Sequence, residues 1–127
     1  MSKTILVIDD SPFITSQITE LTQEHDYKVI GHAVNGEEGI QLFTEMKPDL
    51  TILDIVMPGI DGMETAAVLL KEKPNAKILM LSSICDSETI EEVKSLGLKY
   101  LIPKPIEPDV LLATMEMLMK NDHSKIS

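Results

Sequence analysis

The sequence predicts an α/β domain in which a five-stranded parallel sheet is covered by helices on both faces. Short apolar runs, each about as long as one buried strand, alternate with segments whose apolar residues recur at helical spacing. Residues that form turns and cap helices separate these segments. The chain has 127 residues, which is enough for one domain with a full core and too few for two.

Three strands and two helices are predicted in the first half of the chain. Ser11 caps the first helix, and Pro12 fits the first helical turn. Asn35 and Gly36 form the turn into the second helix, which ends before Pro48. The three strands are predicted at residues 4–10, 28–34 and 50–54.

Three helices and two strands are predicted in the second half. Gly97 ends the fourth helix, since glycine readily adopts the backbone conformation that follows a helix. Pro103 lies in the fifth strand and removes one ladder donor, so we expect that strand at an edge of the sheet. These elements are a third helix that ends at Pro74, a strand at residues 77–82, a helix at residues 86–96, a strand at residues 100–104 and a helix that begins at Pro108.

Apolar residues at helical spacing define the predicted inner face of each helix. The residues expected to face the core are Ile14, Ile18 and Leu21, then Ile40, Phe43 and Met46, then Met63, Ala66, Ala67 and Leu70, then Ile90, Val93 and Leu96, and finally Leu111, Met115 and Leu118.

Composition and charge exclude several classes of protein. The formal net charge of −10 and the lack of a Lys/Arg block argue against a nucleic-acid partner. No apolar run approaches the roughly 20 residues of a membrane span, so no membrane partner is expected. The apolar start at residues 5–8 is too short for a signal peptide, and the single Cys85 suits a reducing compartment, so we expect a cytoplasmic protein. The spacing of His25, His32 and His123 matches no metal site, and we expect them to be surface or packing residues.

The chain carries no linker, internal repeat or low-complexity block. We therefore expect one domain over residues 1–121, followed by a short polar tail at residues 122–127.

Polar residues stand where the predicted strands end. Asp9 and Asp10 end the first strand, Asp54 the third, Ser82 the fourth and Lys104 the fifth. The carboxyl ends of parallel strands lie at one edge of a sheet, so these side chains should meet there. Two carboxylates about 4 Å apart repel by ~4 kcal/mol at an effective dielectric near 20, so the cluster needs a cation. Hard oxygen ligands with open positions favour Mg²⁺, which also accepts a phosphate oxygen.

These strand ends and the loops beyond them resemble a known family. Together they are similar to the response-regulator receiver domain of two-component signalling, and in particular to stand-alone, chemotaxis-type receivers. The similarity runs from about Lys3 to Lys120 and implies a doubly wound, flavodoxin-like sheet with the strand order 2-1-3-4-5. The motifs that carry it are Ile8-Asp9-Asp10-Ser11, Asp54-Ile55-Val56-Met57-Pro58-Gly59-Ile60-Asp61-Gly62, Ser82-Ser83 and Lys104-Pro105.

The resemblance implies a role for each acid. Asp54 would accept a phosphoryl group from a histidine kinase in a magnesium-dependent reaction. Asp9, Asp10, the Asp54 side chain and the Val56 backbone carbonyl would hold Mg²⁺. No general base is needed, because an aspartate is ordinarily ionised at neutral pH. The protein would be an acceptor that slowly loses its own phosphoryl group, rather than a turnover enzyme.

The resemblance also implies how the signal leaves the site. Ser82 would hydrogen-bond the phosphoryl group, Lys104 would pair with it, and the Lys104–Pro105 peptide bond would be cis. Ser83 would be a small residue that admits the phosphoryl group. A downstream protein would then bind the face built by the fourth helix, fifth strand and fifth helix. Leu101 stands where receivers often carry Phe or Tyr; either its rotamer changes with the switch, or it only packs at the edge strand.

Two apolar residues beside the predicted site suggest a long-lived signal. Val56 follows Asp54 by two residues, and Ile84 follows Ser82 by two. Neither side chain can orient an attacking water, so we expect both to shield the acyl phosphate.

A different class of protein uses similar residues. Aspartate-nucleophile phosphatases of the haloacid dehalogenase type also combine Asp, Mg²⁺, Ser or Thr, and Lys on a parallel sheet. Their nucleophile normally ends the first strand in an Asp-x-Asp arrangement, whereas Asp9 and Asp10 are adjacent here. A nucleotide- or flavin-binding module would need a Gly- or Ser/Thr-rich loop where these two acids stand.

Overall fold

The computed structural model describes residues 2–120, so the predicted tail at residues 122–127 lies outside the described part of the chain. Five parallel strands form one sheet in the order β2-β1-β3-β4-β5, as predicted. The strands are β1 (Lys3–Ile8), β2 (Tyr27–Ala33), β3 (Leu50–Asp54), β4 (Ile78–Ser82) and β5 (Leu101–Pro103).

Each strand is followed by a helix, and a side chain caps each of the first four; of these caps, the one at Ser11 was predicted. Ser11, Asn35, Asp61 and Asp86 each accept a hydrogen bond from a backbone N–H in the first turn of the helix that follows. That bond lowers the pKa of the Asp86 carboxyl group below its usual value. The helices are α1 (Pro12–Thr22), α2 (Gly36–Met46), α3 (Gly62–Glu72), α4 (Ser87–Ser95) and α5 (Pro108–Lys120).

The ends of two strands differ from the prediction in a way that matters for the site. β1 ends at Ile8, so Asp9 and Asp10 lie in the loop beyond it. β5 has only three residues and lies at the edge of the sheet, where Pro103 pairs with Ser82. The edge position predicted from Pro103 is therefore confirmed.

Two apolar clusters cover the two faces of the sheet. One packs α1 and α5 against β1, β3 and β4, and its members include Ile18, Ile52 and Leu111. The other packs α2 and α3 against the opposite face and includes Phe43 and Leu69. The strands between them are buried on both sides, which explains why they appear in the sequence as continuous apolar runs.

Three helix faces differ from the prediction. Met46 lies over Gly31 and stays partly exposed, because β2 is an edge strand of the sheet. Ala67 is exposed, because α3 turns Thr65, Ala66 and Leu69 inward instead. Ile90 is also exposed, since α4 buries only Val93.

Candidate functional site

The carboxyl edge of the sheet brings together three acids and one amine. Carboxylate oxygens of Asp9, Asp10 and Asp54 all lie within 4.8 Å of one another. The Lys104 Nζ atom is 3.0 Å from Asp9 Oδ2 and 3.2 Å from Asp54 Oδ2. These side chains lie at or just beyond the carboxyl ends of three strands, β1, β3 and β5, and the parallel sheet explains why they meet.

The loop after β1 holds Asp9 rigidly. Its backbone N–H donates to the carbonyl of Ala33 (2.9 Å), and its carbonyl lies 3.0 Å from His32 Nε2. Its Oδ1 atom accepts from the Ser11 N–H at 2.8 Å. Asp9 is fully buried, whereas Asp10 is exposed.

Asp54 ends β3 and is almost entirely buried, with only 4% of its surface exposed. Burial raises the pKa of its carboxyl group, the nearby Asp9 charge raises it further, and the Lys104 ammonium opposes both. Burial on its own would lower the pKa of Lys104, but its bonds to Asp9 and Asp54 raise it overall. Lys104 therefore stays charged and serves as counterion to both acids.

The loop beyond Asp54 turns back so tightly that it requires a glycine. The Gly62 N–H donates to the Ile55 carbonyl at 2.7 Å, and a Cβ atom on Gly62 would collide with the backbone of Asp54. This close return places the start of α3 directly against the end of β3. Val56 lies in the same loop, and 59% of its surface is exposed.

The donor set fits a divalent cation. Asp9, Asp10 and Asp54 supply three carboxylates, and Lys104 supplies a single positive charge between two of them. The imbalance leaves two negative charges at one point of the surface, and all the oxygens are hard ligands of the kind Mg²⁺ prefers. Within residues 2–120 no hydrogen bond or ion pair engages the Asp10 carboxylate, which is thus free to bind an ion.

Ser82 ends β4 and lies at the same edge, with its hydroxyl group already engaged. Ser82 Oγ accepts from the Ile84 N–H at 2.9 Å and donates to the Ile84 carbonyl at 2.8 Å. The Ser82 carbonyl accepts from the Lys104 N–H at 2.9 Å, which joins β4 to the start of the last loop. Ser83 is exposed beside it.

The last loop contains the predicted cis peptide bond, between Lys104 and Pro105. Leu101 pairs with Met80 and packs, partly buried, against the cluster beneath α2 and α3. This position favours the simpler of its two interpretations, in which Leu101 packs at the edge strand.

Sequence reasoning missed His32, which we had expected to be a surface or packing residue. Its ring contacts the backbone of Asp9, twenty-three residues away in the chain. No local spacing could indicate this contact, because it depends on how β2 pairs with β1.

None of the helices within residues 2–120 has both the length and the apolar character that crossing a membrane would require.

Comparison with known proteins agrees with this geometry. Residues 5–116 match the family model of the response regulator receiver domain. The chemotaxis protein CheY of Listeria monocytogenes is 33% identical over 116 residues, which cover 91% of this chain and 98% of that protein.

Solved structures agree as well. CheY in the CheX–CheY–BeF3–Mg complex from Borrelia burgdorferi is 27% identical, with a TM-score of 0.84 over 91% of this chain and 88% of that one. A CheY-like receiver domain protein from Methanospirillum hungatei shares the fold, with a TM-score of 0.89 over 98% of this chain and 99% of that one at 23% identity. The resemblance noted in the sequence is confirmed: the chain belongs to the response regulator receiver domain family.

Proposed function

We propose that Asp54 accepts a phosphoryl group from a histidine kinase in a magnesium-dependent reaction. The observation that carries the proposal is the buried Asp54 carboxylate, paired with Lys104 at 3.2 Å and lying within 4.8 Å of the Asp9 and Asp10 carboxylates. Phosphoryl transfer to a carboxylate brings two anionic groups together, so it needs positive charge beside the acid, which Lys104 and a metal ion bound by the three carboxylates would supply.

The residues divide the chemistry among themselves. A carboxylate oxygen of Asp54 attacks phosphorus in line, and the bond from phosphorus to the imidazole nitrogen of the donor breaks, its electron pair staying on that nitrogen. Asp9, Asp10, Asp54 and the Val56 carbonyl would hold Mg²⁺, which supplies positive charge for the phosphoryl oxygens. Lys104 supplies the second positive charge and transfers its ion pair from Asp54 to the new phosphoryl group.

Ser82 connects the product to the rest of the domain. To donate a hydrogen bond to the phosphoryl group, its hydroxyl must give up the bond to the Ile84 carbonyl, and we propose that the side chain rotates away from the Ile84 N–H as well. The β4–α4 loop then loses two hydrogen bonds and can adopt a second arrangement. We propose that this shift changes the face built by α4, β5 and α5.

We propose that a downstream protein reads that face. Ile90 on α4 and Val110 and Met117 on α5 leave apolar side chains in solvent there, as a protein-binding surface requires. The name of the Listeria relative favours a chemotaxis pathway. The cytoplasmic location and the boundary between domain and tail stay predictions from the sequence.

Phosphorylation by a small-molecule donor tests the proposal. The wild-type chain, incubated with acetyl phosphate and Mg²⁺, should gain the mass of one phosphoryl group, and Asp54→Asn should gain none. Asp109→Asn, which alters an exposed acid at the start of α5, should be labelled like the wild type. Label on Asp54→Asn would refute the assignment. Repeated turnover of a generic phosphate ester would instead favour the haloacid dehalogenase type of phosphatase.

A further inference from the structure

An irregularity in β2 determines which side chains face the site. Ile5 pairs with Val29 and Leu6 with Gly31, so Ile30 is an extra residue that forms a bulge in β2. A bulge reverses the side-chain alternation beyond it, and bulges beside functional sites often redirect a side chain in this way. Without the extra residue, Gly31 and His32 would each face the side of the sheet opposite to the one that it faces here.

The bulge turns His32 toward the loop that carries the acids. Gly31 faces α2, since a Cβ atom there would press against the Met46 sulfur. His32, the next residue, therefore faces the α1 side, where its Nε2 atom lies 3.0 Å from the Asp9 carbonyl oxygen. A carbonyl oxygen can only accept, so Nε2 carries the proton and donates.

This hydrogen bond completes the fixation of the Asp9 backbone. The Asp9 N–H is already bonded to Ala33, and Asp9 Oδ1 to the Ser11 N–H. The His32 bond fixes the one remaining group, the carbonyl of the peptide that joins Asp9 to Asp10. The direction of that peptide determines where the Asp10 side chain can point.

Asp10 depends on that peptide more than the other two acids do. Asp9 and Asp54 are buried and both are held by Lys104, whereas Asp10 is exposed and no ion pair or hydrogen bond orients its carboxylate in the described chain. Yet its oxygen must lie near the other two for a metal ion to bind all three. The backbone is the only support that can keep it there.

We propose that His32 is a positioning residue for the magnesium site, acting through the Asp9–Asp10 peptide. The inference rests on the proposed function only in that it takes Mg²⁺ as the ion of this site. His32 touches neither the ion nor the phosphoryl group; it limits the directions in which Asp10 can point, so that less order must be imposed when the ion binds.

Substitution of His32 with and without a donor tests the inference. In glutamine the amide nitrogen stands the same number of bonds from the backbone as Nε2, so His32→Gln can keep the bond to Asp9. His32→Leu fills similar space without a donor, and His32→Asn carries a donor that is too short to reach. His25→Leu changes an exposed histidine away from the site and serves as the matched control.

Isothermal titration with MgCl₂ measures the effect directly. We expect the Kd for Mg²⁺ to rise about tenfold in His32→Leu and His32→Asn, the lower end of the effect of losing a group that orients a metal ligand. His32→Gln should keep most of the affinity, and His25→Leu all of it. Thermal unfolding without Mg²⁺ shows whether each variant is folded. If His32→Leu is not folded, the comparison of His32→Gln with His32→Asn still shows whether the hydrogen bond affects Mg²⁺ affinity.

Two results would overturn the inference. One is a Mg²⁺ affinity in His32→Leu or His32→Asn equal to that of the wild type. The other is a loss in His32→Gln as large as the loss in His32→Asn, which would mean that the ring only packs. Asp10→Asn separates this failure from a failure of the proposed function: if it too binds Mg²⁺ normally, or if the wild type binds none, the metal site itself is wrong.

Discussion

Three exposed apolar side chains follow the carboxyl ends of strands that form the edge of the acidic site. Val56 and Ile84 expose 59% and 53% of their surfaces, and Phe13, at the start of α1, exposes 71%. Each follows the carboxyl end of a different strand, at the edge of the sheet where the three acids lie. Exposed apolar residues at a catalytic edge cost solvation and supply no ligand, which is consistent with a role in excluding water.

Replacing Val56 tests whether this apolar border protects the acyl phosphate. In Val56→Asn we expect the phosphoryl group to be lost severalfold faster, since an amide can orient an attacking water. The increase in the rate of phosphoryl loss should stay below the roughly 10²-fold that a well-placed proton-transfer group gives. The lifetime is measured by intact-protein mass after removal of acetyl phosphate, with Val56→Leu as the apolar control. An unchanged lifetime in Val56→Asn would contradict the shielding role.

Thr51 offers a second prediction at the scale of one residue, this time for stability. Its side chain is buried in β3, and its hydroxyl oxygen has no hydrogen-bond partner among residues 2–120. Because an unsatisfied buried hydroxyl costs about 1–3 kcal/mol, Thr51→Val should raise the free energy of unfolding by about 1 kcal/mol. Urea denaturation measures the difference.

Thr22 supplies the matched control for Thr51. It is equally buried, but its hydroxyl donates to the Ile18 carbonyl at 2.8 Å. Thr22→Val loses that bond and should gain no stability. A Thr51→Val protein less stable than the wild type would show that the hydroxyl is satisfied in solution.

Among the elements, the β4–α4 loop is the one whose bonding we expect to change when Asp54 is phosphorylated. Ser82 holds its backbone through both the N–H and the carbonyl of Ile84. The loop is thus restrained by the side chain that the phosphoryl group would recruit. Removal of the hydroxyl should have the same effect on the loop as phosphorylation.

Amide hydrogen exchange in Ser82→Ala checks this expectation. We expect the Ile84 amide to exchange faster than in the unphosphorylated wild type, because its hydrogen-bond acceptor is gone. Phosphorylated wild type should show the same change at that amide. Ser95→Ala, which removes a hydroxyl from the end of α4, should leave the Ile84 amide unaffected. Equal protection of Ile84 in Ser82→Ala and the wild type would mean that the hydroxyl does not restrain the loop.

The elements also show how far sequence patterns reach. The Ser11 cap could be predicted from local chemistry, whereas the strand order, one of the few open to a parallel sheet, came from the resemblance to a known family. The Asp61 and Asp86 caps emerge only from the structure. Parts of the inner faces of α2, α3 and α4 could not be predicted, because Met46, Ala67 and Ile90 fit the helical spacing and only the assembled fold shows how much of each helix is covered.

The site, too, has residues that could be predicted from the sequence and one that could not. Asp9, Asp54 and Lys104 could be placed because each stands at the end of a strand. His32 could not, because a single extra residue in β2 decides which way it points. The bulge cannot be predicted from the sequence, because Val29 and Ile30 are both β-branched apolar residues that fit a regular strand equally well.

For the molecule as a whole, the ionised Asp54 carboxylate costs stability when no metal is bound. The raised pKa of Asp54, due first to burial and then to Asp9, means that its proton is held more tightly in the folded chain than in the unfolded one. Above both pKa values the ionised carboxylate therefore favours unfolding, and this penalty disappears as pH falls below the ordinary value of 3.8.

Neutralising Asp54 should therefore stabilise the metal-free protein at neutral pH. We expect Asp54→Asn to have a higher free energy of unfolding than the wild type at pH 7, and the difference to narrow as the pH falls toward 4. Denaturation in EDTA at several pH values measures it, and Asp109→Asn provides the exposed-acid control. A difference that stays constant with pH, or that favours the wild type at pH 7, would contradict this account.

Bound Mg²⁺ should offset the loss of stability caused by the ionised Asp54 carboxylate, so the free energy of unfolding of the domain should increase when Mg²⁺ binds. An ion that binds the folded chain and not the unfolded one, at 100 times its Kd, adds about 2.7 kcal/mol to the free energy of unfolding. In a domain of this size that corresponds to a rise in Tm of roughly 10 °C. Asp10→Asn removes one of the three carboxylates and should greatly reduce the rise. Thermal unfolding followed by circular dichroism, over a range of MgCl₂ concentrations at constant ionic strength, measures both curves. If Mg²⁺ binds a site built from these acids, the rise in Tm must depend on Asp10. An equal rise in Tm in the wild type and in Asp10→Asn would instead mean that Mg²⁺ acts on the general negative charge of the chain.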